Sequence, residues 1–264
     1  MKKILAISAF VLSTLSFAQQ DKIEVTYTSR LILPADFTFQ PPGGGGGRQM
    51  PKEMMEQMMK RIQEPQESTL TILGDQSLYK AVEKISNDQL SGGGRGPGGR
   101  GPGGPMRFGG NDNIYKDIST KIYMKDVNMM SKTYTVKDEL PNFDWKLTRE
   151  TRTILGNEAR KATAEKDGNV ITAWYSTKIP AKNGPENYWG LPGLILEVES
   201  DVEQGPVKGK RIIVISDIKT TSDKKAIEMP KAKSTITEAD LEKLQKEQRE
   251  RFEQMRDQGV NRRD

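Results

Sequence analysis

The 264-residue chain contains neither histidine nor cysteine, which limits the chemistry that it can perform. A Ser-His-Asp triad and a cysteine nucleophile are excluded, as are zinc and haem sites built from the usual ligands. Hydrolysis by paired carboxylates or by a Ser-Lys pair stays open. However, no spacing of Asp and Glu singles out two of them, so charged surface is the simpler interpretation. The sequence therefore predicts no catalytic residue, no cofactor and no enzyme.

A methionine cluster is the strongest candidate for metal chemistry. Thioethers are soft ligands that select Cu(I), so one hypothesis is a periplasmic Cu(I) site on a helix predicted from Pro51 to Ile62. The alternative, which we favour, is that methionine acts there as a deformable apolar side chain that packs or contacts an apolar ligand. The residues concerned lie on one broad helical face and are Met50, Met54, Met55, Met58 and Met59.

Aromatic residues are few in this chain, yet several are close together in sequence. Near a turn they could line a ligand groove, although such residues more often fill the end of a β core. The candidates for a groove are Trp145, Trp174, Tyr175, Tyr188 and Trp189.

The segment Gly190, Leu191, Pro192, Gly193, Leu194 and Ile195 joins a Pro-Gly turn to an apolar run. Pro192 presets φ near −65° and Gly193 is expected to supply a positive φ, which predicts a type II turn. The run from Leu194 to Val198 alternates too little for a half-exposed strand. It predicts a strand in the middle of a sheet, so the motif is interpreted as structural.

This motif closely resembles the hallmark of the GLPGLI family of secreted proteins from Bacteroidetes-type bacteria. The resemblance covers roughly Lys22 to Thr220, apart from two insertions, and includes a hairpin in which many relatives carry a cysteine where this chain has Ala159. The family has no assigned activity. The resemblance therefore implies a secreted β protein without implying a reaction, and any role of that thiol is absent here.

The N-terminus is typical of an export signal. Lys2 and Lys3 precede an apolar run that ends at Ser16-Phe17-Ala18, and this pattern predicts cleavage after residue 18. The expected product is a periplasmic or secreted protein. It has no cysteine to carry a lipid anchor, and no membrane span is predicted. The 41 basic and 36 acidic residues are too evenly balanced to predict nucleic-acid binding.

Hydrophobic alternation predicts a mainly β domain over residues 19–220. Ten strand candidates joined by turns such as Asp167-Gly168 predict a single antiparallel meander that curls into an open or partly closed barrel. Glycine-rich insertions interrupt it at about 40–67 and 91–113, and we expect them to act as flexible spacers. A charged tail, residues 221–264, carries a largely solvated helix predicted over 237–258.

The sequence thus favours an exported, non-enzymatic envelope protein that binds an apolar small molecule or an outer-membrane or envelope protein through its curved sheet. A Cu(I)-binding protein that uses the methionine helix is the alternative. A carboxylate-dependent hydrolase ranks third. The sequence makes no prediction of oligomeric state.

Overall fold

A computed structural model describes residues 21–35, 37, 52–82, 113–129, 132–204, 207–223, 225–230 and 234–260. Within these ranges the chain is mainly β, with a C-terminal helix. The strands are β1 Lys22–Ile32, β2 Gln66–Leu73, β3 Gln76–Ala81, β4 Asn113–Asp117, β5 Ile122–Met129, β6 Lys132–Glu139, β7 Lys146–Ile154, β8 Asn157–Lys166, β9 Asn169–Ser176, β10 Leu194–Gln204, β11 Val207–Thr221 and β12 Thr235–Ile236; the helices are α1 Lys52–Gln63 and α2 Glu238–Val260.

All of these strands form one sheet, in the order β12-β6-β5-β4-β3-β2-β1-β11-β10-β9-β8-β7. Every pair of neighbours is antiparallel except β12, which lies parallel to β6. The N-terminal strand β1 is central, because β11 returns to pair with it from Thr221 opposite Lys22 to Lys210 opposite Ile32. The strands β6 and β7 follow one another in the chain but lie at opposite ends of the antiparallel part. The prediction of a single, mostly antiparallel sheet is therefore confirmed. The sheet is open and does not close into a barrel. It is also not one uninterrupted meander, because β6 and β7 are not neighbours.

The hairpin turns follow the sequence closely. Asp167 and Gly168 both have positive φ, 53° and 77°, as a type I′ turn requires. The β7–β8 turn uses Leu155 and Gly156, which also have positive φ, 47° and 73°.

Two strands were missed by the sequence-based prediction. The short β4 carries a lysine between a tyrosine and an aspartate, a pattern that does not alternate, and β12 has only two residues. The strand predicted from Ile118 begins at Ile122, because Ile118 donates its backbone N–H to Asp75 in the adjacent turn.

One large buried cluster joins both halves of the sheet. It contains residues from β1 to β5 and from β7, β8, β10 and β11, with Val25, Tyr27, Leu70, Leu194 and Leu196 at 0% exposure. The predicted burial of the apolar run in β10 is confirmed, since Ile195 and Val198 are also 0% and 1% exposed. We refer to the face of the sheet that carries Tyr27, Ile213 and Val198 as its inner side.

The helix α2 covers the β6 end of the sheet. Leu241 is 3% exposed and packs against Met129 and Val136, so α2 is docked through this residue, while most of its other described side chains are exposed, as expected for a largely solvated helix. Lys125 and the hydroxyl of Tyr123 contact the carboxylate of Glu238. Neither described helix is long and apolar enough to cross a membrane. The predicted leader, residues 40–51 of the first insertion and nearly all of the second insertion lie outside the described residues, whereas residues 52–67 of the first insertion include α1 and the start of β2.

Candidate functional site

The loop of residues 177–193, between β9 and β10, fills the space on the inner side of the sheet. The hydroxyl of Tyr27 on β1 donates a 2.7 Å hydrogen bond to the carbonyl of Ile195 just after this loop. From β4, five strands away from β10 in the sheet, Lys116 reaches the same loop. The chain itself therefore occupies the place where an apolar ligand was expected.

Lys116 is completely buried, which is unusual for a lysine. Its ammonium group donates to the carbonyl oxygens of Gly184 at 2.6 Å and of Tyr188 at 3.2 Å. Burial lowers the pKa of Lys116 from 10.5 to about 7, against the opposing effect of the nearby Glu186 carboxylate. This lysine fixes the loop to β4.

A buried ion pair fixes the loop to β11. Arg211 donates to both carboxylate oxygens of Glu186, at 2.5 and 3.0 Å, and its Nε donates to Ser29 Oγ at 3.1 Å. The two charged side chains are only 13% and 11% exposed. Burial opposes the charge of Arg211, but Glu186 outweighs it and the pKa of Arg211 is raised. Glu186 has a positive φ of 49°, which the surrounding contacts hold in place.

Together Lys116, Glu186 and Arg211 form a charged cluster, the "loop anchor", which lies beneath residues 184–188. Because these groups are buried and bound to one another or to backbone carbonyls, their geometry suits fixing the loop rather than meeting a substrate. Removing one partner of such a buried pair typically costs about 3–5 kcal/mol.

The glycines of the 190–195 motif act differently from the prediction. The positive φ lies at Gly190, 92°, and not at Gly193, so the expected type II turn with a positive φ at Gly193 is wrong. Gly193 is required because its backbone passes close to β9: a Cβ there would lie 2.0 Å from the carbonyl oxygen of Ser176. The structural interpretation of the motif agrees with this close approach, and Pro192 remains exposed while Leu191, Leu194 and Ile195 are buried.

Four of the five predicted groove aromatics pack in one cluster beside the loop of residues 177–193, and Trp174 packs against the large buried cluster. The indole of Trp145 donates to the carbonyl of Trp189 at 2.9 Å, and the indole of Trp189 donates to the carbonyl of Pro141 at 2.7 Å. Tyr188 packs near Phe143 with ring centroids 5.4 Å apart, and Tyr175 is 3% exposed in the same cluster. These residues tie the segment before β7 to the loop of residues 177–193.

Trp174 is separated from that group. It lies opposite Glu197 on the side of the sheet away from Ala173 and Val198, which are buried on the inner side. Arg152 reaches from β7 across the small, buried Ala159 to stack on Trp174, 4.0 Å from the ring centroid. Its Nη2 also lies 2.6 Å from Glu197 Oε1. The sheet thus presents an outer, half-exposed charged and aromatic surface beside β7.

The methionine helix is only partly described. Met59 packs with Ile62 against Leu31 on β1, which is the packing role that we favoured. Met50 lies outside the described residues, as do the side chains of Met54 and Met58, while Met55 is half-buried. Among the described residues, no group of three or more Asp and Glu could hold a metal ion.

Two open depressions occur on the described surface. One, of about 560 Å³, is lined entirely by the polar face of α2, including Glu242, Lys246 and Arg249. The next is a shallow depression between β1 and the end of α1. Neither offers an apolar ligand an enclosed site.

The edge strand β7 is the most open element of the sheet. Every residue of β7 is exposed except Thr148 and Ile154, so both faces of the strand meet solvent. It pairs with β8 on one side, with an irregularity between Leu147 and Thr151, and with no described strand on the other. At the other end of the sheet, β12 pairs with β6 and α2 packs against it, so that end is covered whereas the β7 edge is open.

Comparison with known proteins gives limited information on this fold. Residues 163–197, which include the whole 190–195 motif, match a family described as "Protein of unknown function (Porph_ging)". No curated protein matches.

The fold itself has relatives among solved structures. The structure of PNGF-II in the C2 space group has a TM-score of 0.50 at 16% sequence identity, over 85% of this chain and 32% of that chain. PNGF-II in the P21 space group gives 0.45 at 18% identity, over 79% and 29%. The chain thus spans about a third of the length of PNGF-II, and the likeness concerns the fold alone.

Sequence reasoning missed the loop anchor. Nothing in the sequence around Lys116, Glu186 or Arg211 distinguishes them from surface charges, because their burial depends on strands and a loop that are distant in the chain. The one local signal is the pattern of β4, where Lys116 directly follows two consecutive apolar residues, Ile114 and Tyr115, which are buried on opposite faces of the strand.

Proposed function

We propose that the chain is an exported, non-enzymatic protein of the cell envelope, akin to the GLPGLI family, that recognises a protein partner by adding an extended segment of it to the β7 edge. The export signal and the match over residues 163–197 support the compartment and the kinship. The absence of histidine and cysteine supports a binding role.

One observation carries the mode of recognition. The inner side of the sheet is filled by residues 177–193, whereas β7 has solvent on both faces and backbone groups along one edge that pair with no described strand. Extended segments bind to such edges through main-chain hydrogen bonds, while alternate side chains give specificity. Leu147, 57% exposed, supplies an apolar contact on this strand.

Site-specific photo-crosslinking tests this proposal. A photoreactive residue replaces Leu147 in cells that express the full chain, and the matched control replaces Val170, which is apolar and also 57% exposed but lies on β9. We expect a discrete protein adduct from position 147 and none from position 170. Absence of an adduct at 147, or equal adducts at both positions, would contradict recognition at β7.

Native mass spectrometry separates this proposal from carriage of an apolar ligand. Protein purified from the same cells should carry no apolar compound in stoichiometric amount, because residues 177–193 occupy the inner side. A bound lipid at one per chain would instead favour the ligand-binding function.

A further inference from the structure

The sequence of β7 allows a limited number of pairings with its own copy. Two identical antiparallel strands are related by a twofold axis, so one residue of β7 lies opposite itself and its neighbours pair symmetrically about it. Centring the pair on Arg149, Glu150 or Arg152 places like charges directly opposite, which is destabilising. Centring it on Thr148 or Thr153 leaves only a short overlap of the strands.

Centring the pair on Thr151 avoids both problems. Seven residues, from 148 to 154, then overlap, of which 148–150 lie in the irregularity of the β7–β8 pairing, and Glu150 lies opposite Arg152 of the second copy on both sides of the axis. Arg149 lies opposite Thr153. Opposite charges in directly facing positions stabilise a strand pair, and threonine pairs are favourable on an exposed sheet.

Both charged groups of this register already have partners on the inward side of β7. Lys161 Nζ lies 3.0 Å from both carboxylate oxygens of Glu150, which holds that side chain on the outer side of the sheet. Arg152 is held on the same side by Trp174 and Glu197. Arg152 is 40% exposed, so its guanidinium can turn from Trp174 and Glu197 toward the free edge, and the register requires this exchange of Glu197 for Glu150 of the second copy.

We propose that the segment added to β7 is β7 of a second copy of this chain, antiparallel, with Thr151 opposite Thr151 on the twofold axis. This inference rests on the proposed function, since it names the partner of the same edge. It produces one continuous sheet across two copies. A row of alternating charge then runs from Lys161 and Glu150 of one copy to Arg152 and Glu197 of the other copy.

Single cysteines test the register cleanly, because the chain has no cysteine of its own. Directly opposed residues in an antiparallel pair have Cβ atoms about 4.5–5.5 Å apart, within reach of a disulfide after a small adjustment. Under mild oxidation we expect Thr151→Cys to form a covalent dimer rapidly. The single variants Arg149→Cys and Thr153→Cys should form little, whereas the variant with both should crosslink. Equal rates for all single variants would overturn the register.

Charge reversal tests the interface without a covalent bond. At about 100 μM, where even an interface of micromolar affinity is occupied, sedimentation should show a dimer for the parent and a monomer for Glu150→Arg. Combining Glu150→Arg with Arg152→Glu should restore the dimer. Glu158→Arg on β8, which is exposed and away from the edge, is the control that should leave the dimer unchanged. A parent that sediments as a monomer overturns the proposal.

The outcomes also separate this inference from the proposed function. If position 147 crosslinks to another protein and Thr151→Cys forms no covalent dimer, recognition at β7 stands and the second copy is wrong. If position 147 gives the mass of two copies of the chain and Thr151→Cys crosslinks, both stand. If neither forms an adduct, both are wrong.

Discussion

Lys116 Nζ lies 2.6 Å from the carbonyl oxygen of Gly184, so a buried ammonium group on β4 holds the loop that leads into the Pro192-Gly193 turn. Around it lie Glu186, Arg211 and Tyr188 from the loop and β11, and Asp117 follows it on β4. This contact joins β4 to the loop between β9 and β10, which are far from β4 in the sheet. Its contribution can therefore be measured as a change in the free energy of unfolding of the whole protein.

Stability should rise with pH because of Lys116. Its pKa is about 7 in the folded protein and 10.5 in the unfolded chain, so between these values the unfolded state binds more protons. The free energy of unfolding should therefore increase by up to about 1.4 kcal/mol per pH unit above pH 7. Urea unfolding between about pH 6 and 9.5, below the tyrosine range, measures it. In Lys116→Met the slope should disappear; a slope that survives would assign the dependence to another group.

Replacing Gly193 by alanine should destabilise the protein strongly. The new Cβ would lie 2.0 Å from the carbonyl oxygen of Ser176, and backbone atoms on both sides must move. We expect a loss of roughly 3 kcal/mol or more in thermal or urea unfolding. Gly168→Ala is the matched control, because Gly168 has a φ of 77° but nothing within 4 Å of an added Cβ. Its loss should be about 1–2 kcal/mol; equal losses would show that the close approach is unimportant.

Deleting residues 92–110 should leave the fold intact. Lys80 at the end of β3 lies opposite Asn113 at the start of β4, so the ends of the connection are adjacent and a shorter one can join them. Loop-length changes of this size alter stability by about 1 kcal/mol. A melting temperature several degrees below that of the parent would show that the deleted residues belong to the folded core.

Replacing Met54, Met55, Met58 and Met59 by leucine should preserve stability, because apolar volume and helix propensity are retained. Met59 already packs against the cluster of Leu31 and Ile62. A competition assay with a Cu(I) chelator measures metal affinity in the parent and in the variant, and we expect none in either. Binding by the parent that the leucine variant loses would favour the copper hypothesis.

The parts of the fold that could be predicted are those governed by local rules. The Asp167-Gly168 turn needs two positive φ values, and the apolar run of β10 needs cover on both faces; both requirements can be read from adjacent residues. The role of Gly193 could not be read in this way. Glycine there permits contact with Ser176, which is 17 positions away in sequence, and the sequence suggested instead a turn that it does not form.

The loop anchor shows a second limit. A lysine, a glutamate and an arginine read as surface residues because each is costly to bury alone. Only the arrangement of β4, β11 and residues 177–193 makes their burial possible, so the pattern of one strand could not reveal it. Several aromatic residues are close to this loop in sequence, but their packing could not be predicted. The indoles of Trp145 and Trp189 donate to the carbonyls of Trp189 and Pro141, so most of these residues join segments of the chain rather than line a groove.

The central position of β1 constrains when the molecule can fold. Its edge toward β11 has no partner until residues as far as Thr221 are available, and contacts so distant in sequence form slowly because a long chain must be closed first. A chain that emerges N-terminus first therefore stays incomplete over most of its length. Any truncation before β11 should therefore leave the β11-facing edge of β1 open to aberrant pairing with other strands.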